Sequence, residues 1–130
     1  VQLKKLDSMN DKRRVIAAAY KDFLKDQTDI ILPVEKPENK HVYQMFTIQV
    51  KDKSIRDELV NYLRDQGVGA SVHFSPAVHQ MKPFANIKCG DLTNTENITS
   101  QIITLPMYPD MSNADAEHVS KAIKDYFACR

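Results

Sequence analysis

The sequence predicts an α+β fold, close to α/β, in which helices cover a small, mostly antiparallel sheet of about three strands. Four segments carry apolar residues at helical spacing, and short segments between them alternate apolar with other residues. A chain of 130 residues has the usual size of one domain. We therefore expect a single domain, residues 1–130, with helices packed on a small sheet.

The first predicted helix spans residues 1–26 and is long for this chain. At 1.5 Å per residue it would measure about 39 Å, whereas a compact domain of this size is roughly 36 Å across. Its N-terminal half carries Leu3, Leu6 and Met9, which have little of this chain to pack on. We expect sequence to be missing upstream, so that the chain is part of a longer protein or half of a close assembly.

A strand is predicted at residues 41–50, after a short extended stretch at residues 30–33. Alternation places on its core face Val42, Phe46, Ile48 and Val50. The opposite face then carries Tyr43, Met45, Thr47 and Gln49. Ser54 with Asp57 resembles a capping box, and it begins a helix that Gly67 ends.

A second strand is predicted at residues 68–74. Its core face carries the apolar residues Val68, Ala70, Val72 and Phe74. His73 then lies on the other face, beside the small residues Gly69 and Ser71. Pro76 ends this strand.

The C-terminal third is predicted to hold two helices and a short strand. Capping boxes mark the two helix starts, at Thr93 with Glu96 and at Ser112 with Asp115. Between the helices, residues 103–109 alternate as a strand does, and Pro106 limits this segment to an edge strand or an irregular end.

Composition argues against several classes of function. The formal net charge of +1 is too small to generate the field of a nucleic-acid-binding surface. Three glycines form no phosphate-binding loop, and no apolar run is long enough to span a membrane. The two cysteines stand 40 positions apart without a metal-binding or redox motif. We expect a cytoplasmic protein that binds neither nucleic acid nor membranes.

His73 and His79 flank Pro76 and invite a metal or catalytic interpretation. Two histidines fall short of the three or four ligands of a zinc site, and no further ligand lies at a suitable spacing. Ser71 and Ser75 lie beside His73, but the nucleophile-elbow motif is absent. No metal ligand and no catalytic residue is therefore assigned.

Two interpretations of His73 remain open on the residues alone. It is either a core histidine bonded to a backbone carbonyl or part of a docking or ligand surface. The small neighbours Gly69 and Ser71 favour the surface, because another body can approach them closely. For His79 an exposed loop histidine is the simpler interpretation.

Several segments in a fixed order resemble one enzyme family. They are KRR at 12–14, AAAY at 17–20, HVYQMFTIQV at 41–50, RDELVNYLRDQGVGASVHF at 56–74, HQMKPF at 79–84 and LPMYPDMS at 105–112. In this order they resemble the C-terminal small domain of the DegT/StrS-type nucleotide-sugar aminotransferases, which are fold-type-I pyridoxal-phosphate enzymes.

The resemblance implies a longer enzyme that transfers an amino group from an amino-acid donor to a nucleotide-linked keto sugar. Its large N-terminal domain holds the pyridoxal phosphate and the Schiff-base lysine, and this chain lacks that lysine motif. We therefore expect no cofactor bound to this chain and no activity from it alone. The resemblance further implies a homodimer, with residues 1–26 as the helix that links the two domains.

The resemblance also suggests substrate-binding residues. His73 comes first and Phe74 second, because the matching segment lies at the mouth of the family's active site. Tyr43 is a weaker candidate, and His79 joins the set from the following motif. A different class of function remains open: a free-standing small-molecule-binding or protein-interaction module that uses the Tyr43/His73 face.

Overall fold

The computed structural model describes residues 3–84 and 86–130. These residues form helices α1 Leu6–Leu24, α2 Arg56–Asp65, α3 Thr93–Gln101 and α4 Asn113–Ala128, and strands β1 Ile30–Ile31, β2 Phe46–Val50 and β3 Ile102–Leu105. The strands form one antiparallel sheet in the order β1-β2-β3. The predicted α+β fold with a small antiparallel sheet is confirmed.

The centre of the sheet is the pairing of β2 with β3. Its register places Phe46 opposite Leu105 and Gln49 opposite Ile102. All four residues of β3 are buried. On the other side of β3, Ser71 makes a single antiparallel bridge to Thr104. This bridge fixes the chain just before His73 against the sheet.

The prediction of which segments form the strands was partly wrong. β2 begins at Phe46, because the positive φ of 45° at Tyr43 breaks the extended backbone that alternation assumes. Val42 is accordingly 41% exposed, whereas Tyr43 is buried. The predicted strand at residues 68–74 is reduced to the Ser71 bridge, and the short stretch at Ile30–Ile31 supplies the third strand.

Alternation predicts Phe74 on the core face, but in the structure its side chain does not lie there. Its φ is 59°, and its side chain is 69% exposed. The core positions Val68 and Ala70 in the same segment are buried as expected. The left-handed turn at Phe74 therefore directs the chain away from the sheet.

The first helix packs on the last through a short apolar stripe. Four residues of α1 are buried: Ile16, Ala17, Tyr20 and Leu24. α1 lies against α4, whose buried apolar residues are Ala116, Val119, Ala122, Ile123 and Tyr126, while the Tyr20 ring stacks on Phe46 of the sheet. At the other end, Leu3 is 80% and Leu6 45% exposed. The helix begins at Leu6 after a 3₁₀ turn, and residues 1–2 of the predicted helix lie outside the described residues.

One of the three predicted capping boxes is present. The Ser112 hydroxyl accepts from the Asp115 backbone N–H at 3.1 Å, and the Ser112 N–H donates to the Asp115 carboxylate at 3.0 Å. The boxes predicted at Ser54 and Thr93 were wrong. Each hydroxyl instead donates at 2.6 Å to an aspartate two residues earlier, and the same aspartate accepts the backbone N–H of that residue, so Asp52 and Asp91 supply the local acceptors.

None of the described helices has both the length and the apolar character needed to cross a membrane.

Candidate functional site

His73 is held at the edge of the sheet by contacts to one of its ring nitrogens. Its Nδ1 lies 2.9 Å from the Thr104 hydroxyl and 3.3 Å from the Ser71 hydroxyl. Ser71 and Thr104 are themselves joined through their backbones, by hydrogen bonds of 3.1 and 2.8 Å. The residue is exposed although one side of its ring is anchored. The structure therefore excludes the core-histidine interpretation.

Phe74 extends the His73 surface with an aromatic ring. The two ring centroids are 6.2 Å apart. Phe74 also borders an apolar cavity of about 430 Å³, whose other apolar walls include Pro76, Val78, Met81, Phe84 and Leu92. The His73 imidazole and an apolar cavity thus both lie next to Phe74.

His79 is turned toward α3 rather than toward solvent. Its Nε2 lies 2.9 Å from the Glu96 carboxylate, and its side chain is 18% exposed. It lines the same cavity as Phe74. The interpretation as an exposed loop histidine was therefore wrong, because Glu96 provides a partner 17 positions away.

Arg56, which no sequence motif singled out as a site residue, anchors the segment that follows Phe74. Its guanidinium donates to the Thr99 carbonyl oxygen at 3.0 Å and to the Ser75 hydroxyl at 3.3 Å. The side chain is only 16% exposed. Its Nε also donates to the neighbouring Asp57 carboxylate at 2.8 Å, and no local pattern in the sequence indicates the contacts to Thr99 and Ser75.

Tyr43 does not share an open face with His73. The residue is 3% exposed, and its hydroxyl accepts from the Lys21 ammonium at 2.8 Å. The same hydroxyl donates to the Glu35 carboxylate at 3.3 Å. This overturns the predicted Tyr43/His73 face, because one of its two members is buried and already bonded.

An ion pair that no local sequence pattern predicts connects the loop before Tyr43 to α1. Arg14 donates to the Glu35 carboxylate at 2.7 Å and to the His41 carbonyl oxygen at 2.7 Å. The His41 backbone N–H donates to Glu35 at 3.1 Å. The hydrogen bond from Arg14, with a smaller contribution from the His41 N–H, lowers the pKa of the Glu35 carboxyl. Glu35 is therefore ionised at neutral pH.

Metal and nucleophile chemistry gain no support from the described part of the chain. There, no three histidine, cysteine, aspartate or glutamate residues come close enough together to hold a metal ion. Cys89 and Cys129 are both free and exposed. Cys89 borders the apolar cavity near Phe74.

Comparison with known proteins identifies the family. The sequence model of the protein family described as "DegT/DnrJ/EryC1/StrS aminotransferase family" matches residues 1–124. This chain belongs to that family. The resemblance drawn from the sequence motifs is confirmed.

Two curated relatives and a solved structure illustrate the match. The chain is 33% identical over 132 residues to the spore coat polysaccharide biosynthesis protein SpsC of Bacillus subtilis, and this match covers 95% of the chain. It is 30% identical to the dTDP-3-amino-3,6-dideoxy-alpha-D-galactopyranose transaminase of Aneurinibacillus thermoaerophilus, over 97% of this chain. Its fold matches S. venezuelae DesV, solved in complex with a ketimine intermediate, with a TM-score of 0.88 and 30% identity over 95% of this chain.

The match covers only part of each relative. The chain spans 33% of SpsC, 34% of the transaminase and 33% of the DesV chain. The chain therefore spans about a third of the length of these relatives.

The residues of this chain do not fit the pyridoxal phosphate on which the family depends. A Schiff-base lysine needs a desolvated pocket, but the described lysines are exposed apart from Lys21. Lys21 is half-buried, and its ammonium is bonded to Tyr43 and lies 5.2 Å from the centre of that ring. No step of cofactor chemistry can be assigned to these residues.

Proposed function

We propose that residues 1–130 form the substrate-side, C-terminal small domain of a pyridoxal-phosphate aminotransferase that acts on nucleotide-linked keto sugars. The family match supports the aminotransferase assignment. One relative is named for a dTDP-linked amino sugar, and another for polysaccharide biosynthesis. The chain spans about a third of each, so the cofactor and its lysine are assigned to a large N-terminal domain, and this chain alone is inactive.

The single observation that carries the site assignment is the exposed pair His73 and Phe74. His73 is anchored at Nδ1 by Thr104 and Ser71, which leaves the other side of the ring open. An imidazole N–H is a good donor to a phosphate oxygen. The exposed Phe74 ring offers an apolar surface to the base or the sugar. We assign both residues to the sugar-nucleotide subsite.

His79 and Tyr43 have lesser parts in this proposal. His79 lines the cavity beside Phe74, and it reaches a ligand only when its contact with Glu96 opens. Tyr43 is buried and bonded to Lys21 and Glu35. We therefore assign it to the support of the preceding loop rather than to substrate contact.

The partners follow from the same proposal. The large domain covers the exposed leucines Leu3 and Leu6 of the linking helix, since apolar side chains at 80% and 45% exposure favour a packing partner. The whole enzyme is a homodimer and takes an amino-acid donor as second substrate. Two free cysteines accord with a cytoplasmic enzyme.

The test measures nucleotide affinity in the whole enzyme. The probe is either dTDP or UDP, whichever binds the wild type more tightly. His73→Ala should weaken binding of that nucleotide about tenfold, the effect of one hydrogen bond to a charged group. The half-reaction with L-glutamate should keep its rate, because that step does not involve the sugar nucleotide. His118→Ala is the matched control, since His118 is exposed and its ring contacts the Gln66 carbonyl oxygen at 3.2 Å.

Unchanged nucleotide affinity in His73→Ala, with the control also unchanged, would remove His73 from the subsite. Failure of the wild-type enzyme to bind either nucleotide would contradict the assignment to nucleotide-linked substrates.

A further inference from the structure

Thr104 and His73 form a pair whose chemistry extends beyond simple anchoring. We infer that Thr104 is a positioning residue whose hydroxyl donates a hydrogen bond to His73 Nδ1. The neutral imidazole ring then carries its hydrogen on Nε2. This Nε2–H is available to donate to an anionic oxygen of the substrate. This inference rests on the proposed role of His73 in the sugar-nucleotide subsite.

The Thr104 hydroxyl is a fixed point. Thr104 is 7% exposed, within the all-buried strand β3. Its backbone N–H and carbonyl are both bonded to Ser71, and its backbone pairs with Thr47 of β2 in register. A β-branched side chain has few χ1 choices in such a strand. The sheet and the few χ1 choices therefore restrict the position of Oγ1.

The direction of the hydrogen bond follows from what a buried hydroxyl requires. Within the described residues, His73 Nδ1 is the hydrogen-bond partner of Thr104 Oγ1, at 2.9 Å. Thr104 is buried and the contact is part-buried, so a hydroxyl that only accepted from Nδ1 would leave its own hydrogen without a protein acceptor in the described residues, which is unfavourable. A hydroxyl that donates to Nδ1 satisfies that hydrogen. The donating arrangement is therefore the favoured one.

Donation from Thr104 decides the tautomer of the ring. In neutral imidazole one nitrogen carries the hydrogen and the other accepts. With Nδ1 accepting from Thr104, the hydrogen lies on Nε2, at the opposite side of the ring. The ring can then donate to a phosphate oxygen without first taking up a proton. Ser71, at 3.3 Å, is the more distant hydroxyl and adds a secondary contact.

Nuclear magnetic resonance of the ¹⁵N-labelled chain at pH 8, where an ordinary imidazole is neutral, reports the tautomer directly. His73 should show the Nε2–H pattern in the wild type and in Thr104→Ser, which keeps the hydroxyl. Thr104→Val removes the hydroxyl at nearly constant shape and should give a mixture of tautomers. His41, His79 and His118 should be unchanged in every variant.

An Nδ1–H pattern in the wild type, or an unaltered His73 pattern in Thr104→Val, would overturn the inference. Should Thr104→Val lose its fold by circular dichroism, Thr104→Ala takes its place, and the comparison with Thr104→Ser decides in the same way.

Binding measurements on the whole enzyme separate this inference from the proposed function. Thr104→Val should weaken binding of dTDP or UDP about threefold to tenfold, the range for loss of one neutral hydrogen bond. Thr104→Ser should bind as the wild type does. If His73→Ala weakens binding and Thr104→Val does not, the positioning role alone falls. If His73→Ala leaves nucleotide binding unchanged, the proposed role of His73 in the subsite is contradicted. The nuclear magnetic resonance measurement still decides which nitrogen of His73 carries the hydrogen.

Discussion

The Tyr20 hydroxyl donates a 2.9 Å hydrogen bond to the carbonyl oxygen of Pro106, 86 positions further along the chain. Tyr20 is fully buried in α1, and its ring stacks on Phe46 of β2 with centroids 4.8 Å apart. Burial raises the pKa of the Tyr20 phenol, so the hydroxyl stays a neutral donor. One side chain thus joins the first helix to the sheet and to the residue that follows β3.

Tyr20→Phe should lower the free energy of unfolding by about 1–2 kcal/mol, because the ring packing stays while the Pro106 carbonyl loses its partner. Urea denaturation followed by circular dichroism measures the change. Tyr108→Phe is the matched control, since Tyr108 is 48% exposed and should change stability little. Equal stability of Tyr20→Phe and the wild type would show that this hydrogen bond contributes nothing net.

Gly67→Ala should destabilise the chain by about 1 kcal/mol. Gly67 has φ 77° and ends α2 by donating its N–H to the Arg64 carbonyl oxygen at 2.9 Å. A Cβ there meets no neighbour within 4 Å, so the cost lies in the backbone conformation. Gly90→Ala, at a glycine without positive φ, is the control for thermal unfolding. A midpoint for Gly67→Ala equal to that of Gly90→Ala would contradict the explanation.

Phe74→Gly should be more stable than Phe74→Ala by about 1 kcal/mol, although both variants lack the ring. The reason is the φ of 59°, which glycine adopts without a steric cost. Both variants should bind the nucleotide probe more weakly in the whole enzyme, since both remove the exposed ring. Stability is measured by chemical denaturation, and an Ala variant as stable as the Gly variant would argue against backbone strain at this position.

Glu35→Gln should destabilise the chain at pH 7 and have a smaller effect in acid. The pKa of Glu35 is lowered in the fold, first by the Arg14 hydrogen bond. Its contribution is therefore complete above the ordinary value of 4.5 and is lost as pH falls through the lowered pKa. The free energy of unfolding, measured from pH 7 to pH 3, gives the difference between wild type and variant. Glu38→Gln in the same loop is the control, and a wild-type advantage that persists unchanged at pH 3 would refute the prediction.

Sequence patterns predicted those parts of the fold that depend on local periodicity. Burial of Phe46, Ile48 and Val50 in β2 follows from alternation, and the Ser112 cap follows from its neighbours. The same reasoning located His73 outside the core. These features depend on residues a few positions apart, so a single sequence contains them.

Other features depend on contacts that local patterns do not encode. The left-handed backbone at Tyr43 reverses which side chain is buried, and nothing in the alternation indicates it. The Arg14–Glu35 pair joins residues 21 positions apart, and the His79–Glu96 contact joins residues 17 apart. Long-range pairs of this kind depend on the packing of whole elements. Local patterns therefore predicted an open face for Tyr43 and an exposed loop position for His79, and both predictions were wrong.

A crystal structure of the whole enzyme with bound dTDP or UDP would show whether His73 contacts the nucleotide part of the substrate. We expect His73 Nε2 within about 2.7–3.2 Å of a diphosphate oxygen, with Nδ1 still on Thr104. A nucleotide bound elsewhere, with His73 contacting only protein or solvent, would contradict the role of His73 in nucleotide binding.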